Sequence, residues 1–384
     1  MKVSIVGAGN AGVFTALYYS WYGRKDNVEV ELIHNPDIAP SKVGQSTIAE
    51  TPQLLYHGTR FNYYDNHINA TPKTGILYEG WGQLNDKFIH PFPANVLAMN
   101  FCPSEMQRHV INSGRFKVTE SNVLDPNDID ADYVFDCRGR PKDLTDYYKL
   151  RSPVNSAILG KPQWDVTEDL WSRHVATPDG WAFVIPMRPQ SPSHDGAVGY
   201  IYNNKITNTK DAEKNFGQIF DVEVTDHLSF DSYMAKSPIV NDRVILNGNR
   251  LFFLEPMEAT AVEAYIEWSR HTFDAIVTKK HTLNDAASGY KRFLRKLQNF
   301  ILWHYQSGSV YDTPFWKYAI EYSHFNDPTF DKFVEAATKL TWDSESMNEF
   351  RDVSYTGIKL RYAVWPLMSF KNWIEGITLN RTAT

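Results

Sequence analysis

The opening stretch, MKVSIVGAGNAGVFTALYYSWYG, limits the fold of this chain more than any other. KVSIV reads as a short buried strand, GAGNAG as a turn and AGVFTALYYSWYG as a helix closed by Gly23, after which VEVELI reads as a second strand. That is a βαβ unit at the extreme N-terminus. Gly7, Gly9 and Gly12 form G-x-G-x-x-G between its first strand and its helix. The first glycine permits a tight turn, the second lets backbone approach a pyrophosphate, and the third allows close helix packing. The helix N-terminus then offers unpaired N–H groups to the phosphates, which makes Gly7, Gly9, Ala11 and Gly12 the candidate dinucleotide contacts. The acid expected on the ribose at the end of the second strand is missing. His34 stands there, so ribose binding falls to His34, Asn35 or the backbone.

Farther along, PSEMQRHVINSG is helix-like with a glycine stop, and DADYVFDCRGR is a strand running into a glycine turn. Alternating stretches such as WAFVIPMR and GAVGYIYNN predict an antiparallel sheet between about 150 and 240. From about 257, AVEAYIEWSRHTFDAIV, GYKRFLRKLQNFILWHY and PTFDKFVEAATKL carry apolar residues at helical spacing. The expected fold is α/β: a Rossmann-type N-terminal module, an interleaved antiparallel-sheet module and a helical C-terminal part. The expected division assigns 1–145 and 236–275 to nucleotide binding, with 60–95 contributing, 146–235 to the substrate sheet, and 276–384 to a helical cover.

Composition removes several function classes. A net charge of −6 without a long Lys/Arg run lacks the footprint of a nucleic-acid or anionic-membrane binder, and 14% aromatic residues favour pockets for small molecules. No apolar run approaches the roughly 20 residues of a membrane helix, and the N-terminus does not read as a secretory signal. Cys102 and Cys137 suggest neither a disulfide framework nor a metal site, and a cytoplasmic location is expected. H-E-x-x-H, G-x-S-x-G and G-K-[ST] are all absent.

G-x-G-x-x-G serves both FAD and NAD, but no second copy exists to hold a nicotinamide, and Asp136 and Gly139 in ADYVFDCRGR resemble the later FAD-contacting motif of flavin monooxygenase-type proteins. VGQSTIAE (44–50 for GQSTIAE) resembles the G-E-[SA]-T-[IV]-P segment of flavin-dependent halogenases of the tryptophan-halogenase type, with Gln45 and Ala49 in place of the usual Glu and Pro. ATPKTGILYEGW resembles the segment carrying that family's catalytic lysine, here Lys73. GWAFVIP resembles its W-x-W-x-I-P signature, keeping Trp181, Ile185 and Pro186 and placing Phe183 at the second Trp. FLEPMEATAVE resembles F-[LI]-[ED]-P-L-E-S-T-G-[IL], which puts Glu258 at the catalytic glutamate and Thr260 and Ala261 at the halide turn. NFILWHY and DTPFWKYA resemble two further segments, in the family's order.

The resemblance implies FAD, used as FADH2 from a separate flavin reductase, with O2 oxidising chloride, bromide or iodide to hypohalous acid. Lys73 would handle the oxidised halogen, and Glu258 would act on an electron-rich aromatic of indole or phenol type. It further implies FAD contacts at Gly44, Gln45, Ser46, Thr47, Asp136, Gly139 and Asn249, and a substrate pocket at Trp181, Phe183, Ile185, Pro186, His304 and Tyr305. Homo-oligomerisation is compatible. Three departures qualify this. Ala259 replaces a Ser; Ala261 replaces a Gly and cannot adopt positive φ as cheaply; and the short chain after DTPFWKYA predicts a reduced lid and a more open pocket. A hydroxylating monooxygenase on the same fold and a degenerate flavin-binding protein stay open as alternatives.

Overall fold

The computed structural model describes residues 1–48, 51–82, 87–92, 97–341 and 361–378; Ala49, one of the resemblance positions, lies outside the described residues. Lys2–Val6 is the middle strand of a five-stranded parallel sheet. Glu29–His34 and then Lys117–Glu120 lie on one side of it, and Tyr133–Asp136 and then Val244–Leu246 on the other. Val3 and Ile5 have no solvent exposure, as a continuous apolar run in a doubly covered parallel strand requires. The helices Asn10–Tyr22 and Ala261–Ile276 pack against each other, joined by Tyr19 Oη donating to Thr272 Oγ1 at 2.9 Å. A Cβ on Gly12 would stand 1.8 Å from the Gly7 carbonyl oxygen, so the third glycine is fixed by helix–turn packing. The expected α/β class, with a parallel sheet and a helical C-terminal region, is what the chain forms.

The second large sheet has seven strands, in the order Val222–Ser229, Ser156–Pro162, Val198–Tyr202, Gly180–Val184, Ser172–Thr177, Gly75–Glu79 and Lys87–Pro91. Neighbours run antiparallel except Gly75–Glu79 beside Ser172–Thr177, which are parallel with His174 opposite Tyr78. Segment 60–95 therefore supplies two strands to this sheet. A three-stranded sheet sits next to it, with Ala98–Phe101 between Gln45–Ser46 and Thr71–Lys73. Lys73 is the last residue of its strand, opposite Ala98.

Helices Leu283–Gln306, Pro314–Tyr322, Pro328–Lys339 and Leu367–Thr378 close one side of the molecule. The longest opens with a capping box between Thr282 and Asp285, which satisfies two otherwise orphaned N–H groups. Its buried face carries Phe300, His304 and Tyr305 inward. Phe300 stacks on Trp365 with ring centroids 3.8 Å apart, and His304 lies 4.0 Å from Trp373. The last described segment is thus bound to the core through aromatic faces.

Candidate active site

A cavity of about 480 Å³ opens at the carboxyl ends of the parallel strands, where an open α/β sheet receives its ligands. Gly7, Gly9, Ala11, His34, Gln45, Gly139 and Asn249 line it, together with Asn35, Arg138 and Tyr265. Gly7 turns the chain at φ +106°, a value that excludes other residues. A Cβ on Gly9 would meet no atom within 4 Å, and the same holds at Gly139, so at both places bare backbone faces space. The buried Asn10 Oδ1 has no partner among the described residues. A glycine cradle at a helix N-terminus, an unsatisfied amide oxygen and a cavity of this volume fit a dinucleotide such as FAD.

Five of the expected cofactor contacts do not line this cavity. Gly12 packs against Gly7. The Asp136 carboxylate is 2% exposed and occupied by its own arginines, with Arg138 Nε at 2.8 Å and Arg250 Nε at 3.1 Å, so it braces the glycine turn. A Cβ on Gly44 would lie 3.1 Å from Met187. Ser46 Oγ donates to Asn100 Oδ1 at 2.7 Å, and Thr47 is tied to Met99 and accepts a bond from Lys73. Ser46 and Thr47 therefore serve the lysine side of the wall.

The turn from Pro256 to Ala261 lies between the cavity and a buried polar cluster. Pro256 and Ala261 line the cavity, whereas Glu258 between them is 1% exposed and bonded to residues beyond it. Two successive left-handed residues, Glu258 at φ +65° and Ala259 at φ +54°, make this reversal. Ala261, expected to sit where a left-handed glycine is needed, instead begins the helix Ala261–Ile276, and Thr260 before it has φ −81°. An alanine is unstrained there. No side chain caps this helix, so its first N–H groups are available at the cavity edge.

Lys73 has no solvent exposure, and its Nζ donates to the Thr47 carbonyl at 3.2 Å, with the Phe92 ring centroid 5.3 Å away. Burial pushes the ammonium down to about 7, against the attraction of Glu258. Glu258 Oε1 accepts from the Tyr78 hydroxyl and lies 2.9 Å from His304 Nε2 and 3.2 Å from His90 Nδ1. Trp365 Nε1 donates to Oε2 at 3.0 Å. Burial alone would raise the Glu258 carboxyl, but the His90 and His304 imidazoles hold it well below the usual range. His304 Nδ1, 2.7 Å from the Phe300 carbonyl, donates there, which fixes the ring and aims Nε2 at Glu258.

A second buried carboxylate stands nearby. Glu255 accepts from Ser152 Oγ at 2.6 Å, Tyr305 Oη at 2.5 Å and Trp181 Nε1 at 3.2 Å, and burial pushes it up to about 7. Trp181 and Tyr305, expected to line a substrate pocket, are thus engaged with Glu255. Phe183 lines the cavity, and Ile185 is buried. The Pro186 carbonyl accepts from Thr71 Oγ1 at 2.6 Å, pinning the lysine strand to the wall. His304 alone of that group touches Glu258. Tyr78, His90, His174 and Trp365 were not anticipated. They lie far apart in sequence, and only the register of Gly75–Glu79 with its two neighbours and the return of Arg361–Thr378 bring them to one point. Trp365, after the helices of the C-terminal part, comes back to Glu258 and helps to bury it.

Among the described residues there is no cluster of three or more His, Cys, Asp or Glu able to hold a metal ion, and no helix long and apolar enough to cross a membrane. The family model described as tryptophan halogenase matches residues 2–112 and 105–366. No curated protein matches the sequence. Among solved structures, a tryptophan 6-halogenase from Streptomyces toxytricini superposes with a TM-score of 0.74 at 18% identity, covering 98% of this chain and 90% of that one. A flavin-dependent halogenase from Brevundimonas sp. gives 0.73 at 17% identity, over 98% and 89%. Another from Xanthomonas campestris gives 0.72 at 16%, over 99% and 94%. At such identities the likeness is one of fold.

Proposed function

The chain belongs to the tryptophan halogenase family of flavin-dependent enzymes, and from that premise we propose that it halogenates a small electron-rich aromatic, an indole or a phenol, at Lys73 and Glu258. The observation that carries this reading is the pairing of a buried lysine and a buried glutamate, each within reach of the other's charge and neither lining the dinucleotide cavity. A hydroxylase would need its substrate inside that cavity instead.

FAD would be held by the backbone at Gly7, Gly9 and Gly139, with His34, Gln45, Arg138 and Asn249 around it. Supplied reduced by a separate reductase, it would activate O2, the oxidant that turns halide into hypohalous acid. The uncapped N–H groups at Thr260 and Ala261 are suited to an anion at the cavity edge. Beyond the wall, Lys73 at neutral pH is divided between ammonium and amine. The ammonium donates a hydrogen bond to hypohalous acid and polarises it toward the ring; the amine can itself be halogenated. Once halogen adds to the aromatic, the cationic ring must lose a proton. Glu258 stays ionised, stabilises that cation, and takes the proton at Oε2, which has one donor where Oε1 faces three partners. A protonated ring carbon is so strong an acid that a weak base suffices.

The test is incubation of the chain with FAD, a flavin reductase, NADH, halide and a panel of indoles and phenols, read by mass spectrometry. Halogen mass shifts that vanish in Lys73→Ala, with FAD binding retained, are expected. Hydroxyl shifts, or product undiminished in Lys73→Ala when free hypohalous acid is scavenged, overturn the reading.

A further inference from the structure

One buried group beside Lys73 and Glu258 has no part in the scheme above. His174, on the strand Ser172–Thr177, is 3% exposed, and its Nδ1 has no hydrogen-bond partner among the described residues. The ring is held by packing: Trp181 lies 4.9 Å from it on one side and Tyr78 meets it edge-on at 5.3 Å on the other. Trp81 Nε1 anchors the backbone by donating to the His174 carbonyl at 3.0 Å. Leaving a polar atom unpaired in such a place is costly, and a fold keeps one where a guest completes the bond.

We propose that His174 is a further binding residue of the lysine site, hydrogen-bonding the small polar oxidant, hypohalous acid, that reaches Lys73. The inference rests on the halogenase reading above. Position identifies the guest. Tyr78, opposite His174 on one neighbouring strand, donates to Glu258, and Phe183, opposite it on the other, lines the cavity, so His174 stands between the glutamate and the cavity. With an aromatic ring on either side, only a guest of a few atoms could reach Nδ1. Burial, with the charge of Lys73 added, pushes the imidazole down to about 3, so it is neutral under working conditions. A neutral imidazole offers one N–H and one lone pair, and hypohalous acid has an O–H to donate and an oxygen to accept. Holding it at two points, Lys73 and His174, shortens its free lifetime before it meets the substrate.

The experiment compares wild type with His174→Phe, His174→Ala and His174→Asn in the full chain, using FAD, a flavin reductase, NADH, bromide and an aromatic that wild type brominates. Asn keeps a polar atom near the place of Nδ1, Phe keeps bulk without it, and Ala cannot overfill the site if Phe prevents folding. The readouts are brominated product per NADH oxidised, hypobromous acid escaping to a β-diketone trap, and KM for the aromatic. Loss of one hydrogen bond predicts about a tenfold fall in product per NADH for Phe and Ala, with a matching rise in trapped oxidant and an unchanged KM. Asn should recover most of the coupling. Wild-type coupling in both Phe and Ala, or a loss that Asn does not relieve, overturns the proposal. A wild type that brominates nothing sinks the halogenase reading itself, which is a separate outcome.

Discussion

A lysine buried for its chemistry should weaken the fold, and Lys73→Met measures by how much. Lys73 has no solvent exposure, and burial takes its ammonium from 10.5 to about 7. At about 1.36 kcal/mol per pH unit, that displacement is worth ~5 kcal/mol against the charged folded form. The sign follows from proton counting. Between pH 7 and 10.5 the unfolded chain binds a proton at this site that the folded chain does not, so stability from Lys73 rises with pH across that window and is lowest below it. Methionine keeps the stem and removes the charge. Lys73→Met should therefore exceed wild type by about 5 kcal/mol at pH 6, a figure that already includes the attraction of Glu258 for the ammonium. The advantage should shrink by about 1.4 kcal/mol per unit above pH 7. Urea unfolding of both proteins from pH 6 to 9.5 reads this directly, because groups common to both cancel in the difference. A difference that does not change with pH, or a variant less stable than wild type at pH 6, refutes the reasoning. The same variant should form no halogenated product.

Gly9→Val should fold normally, since a Cβ there meets no protein atom within 4 Å, yet lose at least about a hundredfold in FAD affinity by occupying the space of the pyrophosphate; unchanged affinity by fluorescence titration would remove the dinucleotide assignment. Ala259→Gly should raise stability by about 0.5–1 kcal/mol, because alanine at φ +54° carries a left-handed penalty larger than the extra chain entropy glycine brings, and a lower urea midpoint would show that the turn is not strained.

The N-terminal βαβ unit was legible because its signal is local: period, glycine spacing and strand length all lie within the first 34 residues. The seven-stranded sheet was half legible. Alternation marked Gly180–Val184 and Val198–Tyr202, but nothing in the sequence joins Gly75–Glu79 in parallel to Ser172–Thr177, because the intervening chain first supplies Lys117–Glu120 and Tyr133–Asp136 to the parallel sheet. At the site, resemblance pointed to Lys73 and Glu258, while their burial and partners were invisible. Tyr78, His90, His304 and Trp365 reach Glu258 across sequence separations of 180, 168, 46 and 107 residues. Each alone reads as packing. Ala261 misled for a local reason: the left-handed geometry falls on Glu258 and Ala259, three and two residues earlier.

For anyone redesigning this chain, the turn from Pro256 to Ala261 sets an asymmetry of tolerance. Because neighbouring residues of one turn face opposite compartments, a deletion or insertion of a single residue there would exchange their faces and be felt in both at once. Side chains around Glu258, by contrast, arrive on separate strands and helices and can be varied one at a time without rewriting the glycine cradle. A library that tunes the basicity of Glu258 belongs on Tyr78, His90 and Trp365, one position at a time, with the six residues of the turn held constant.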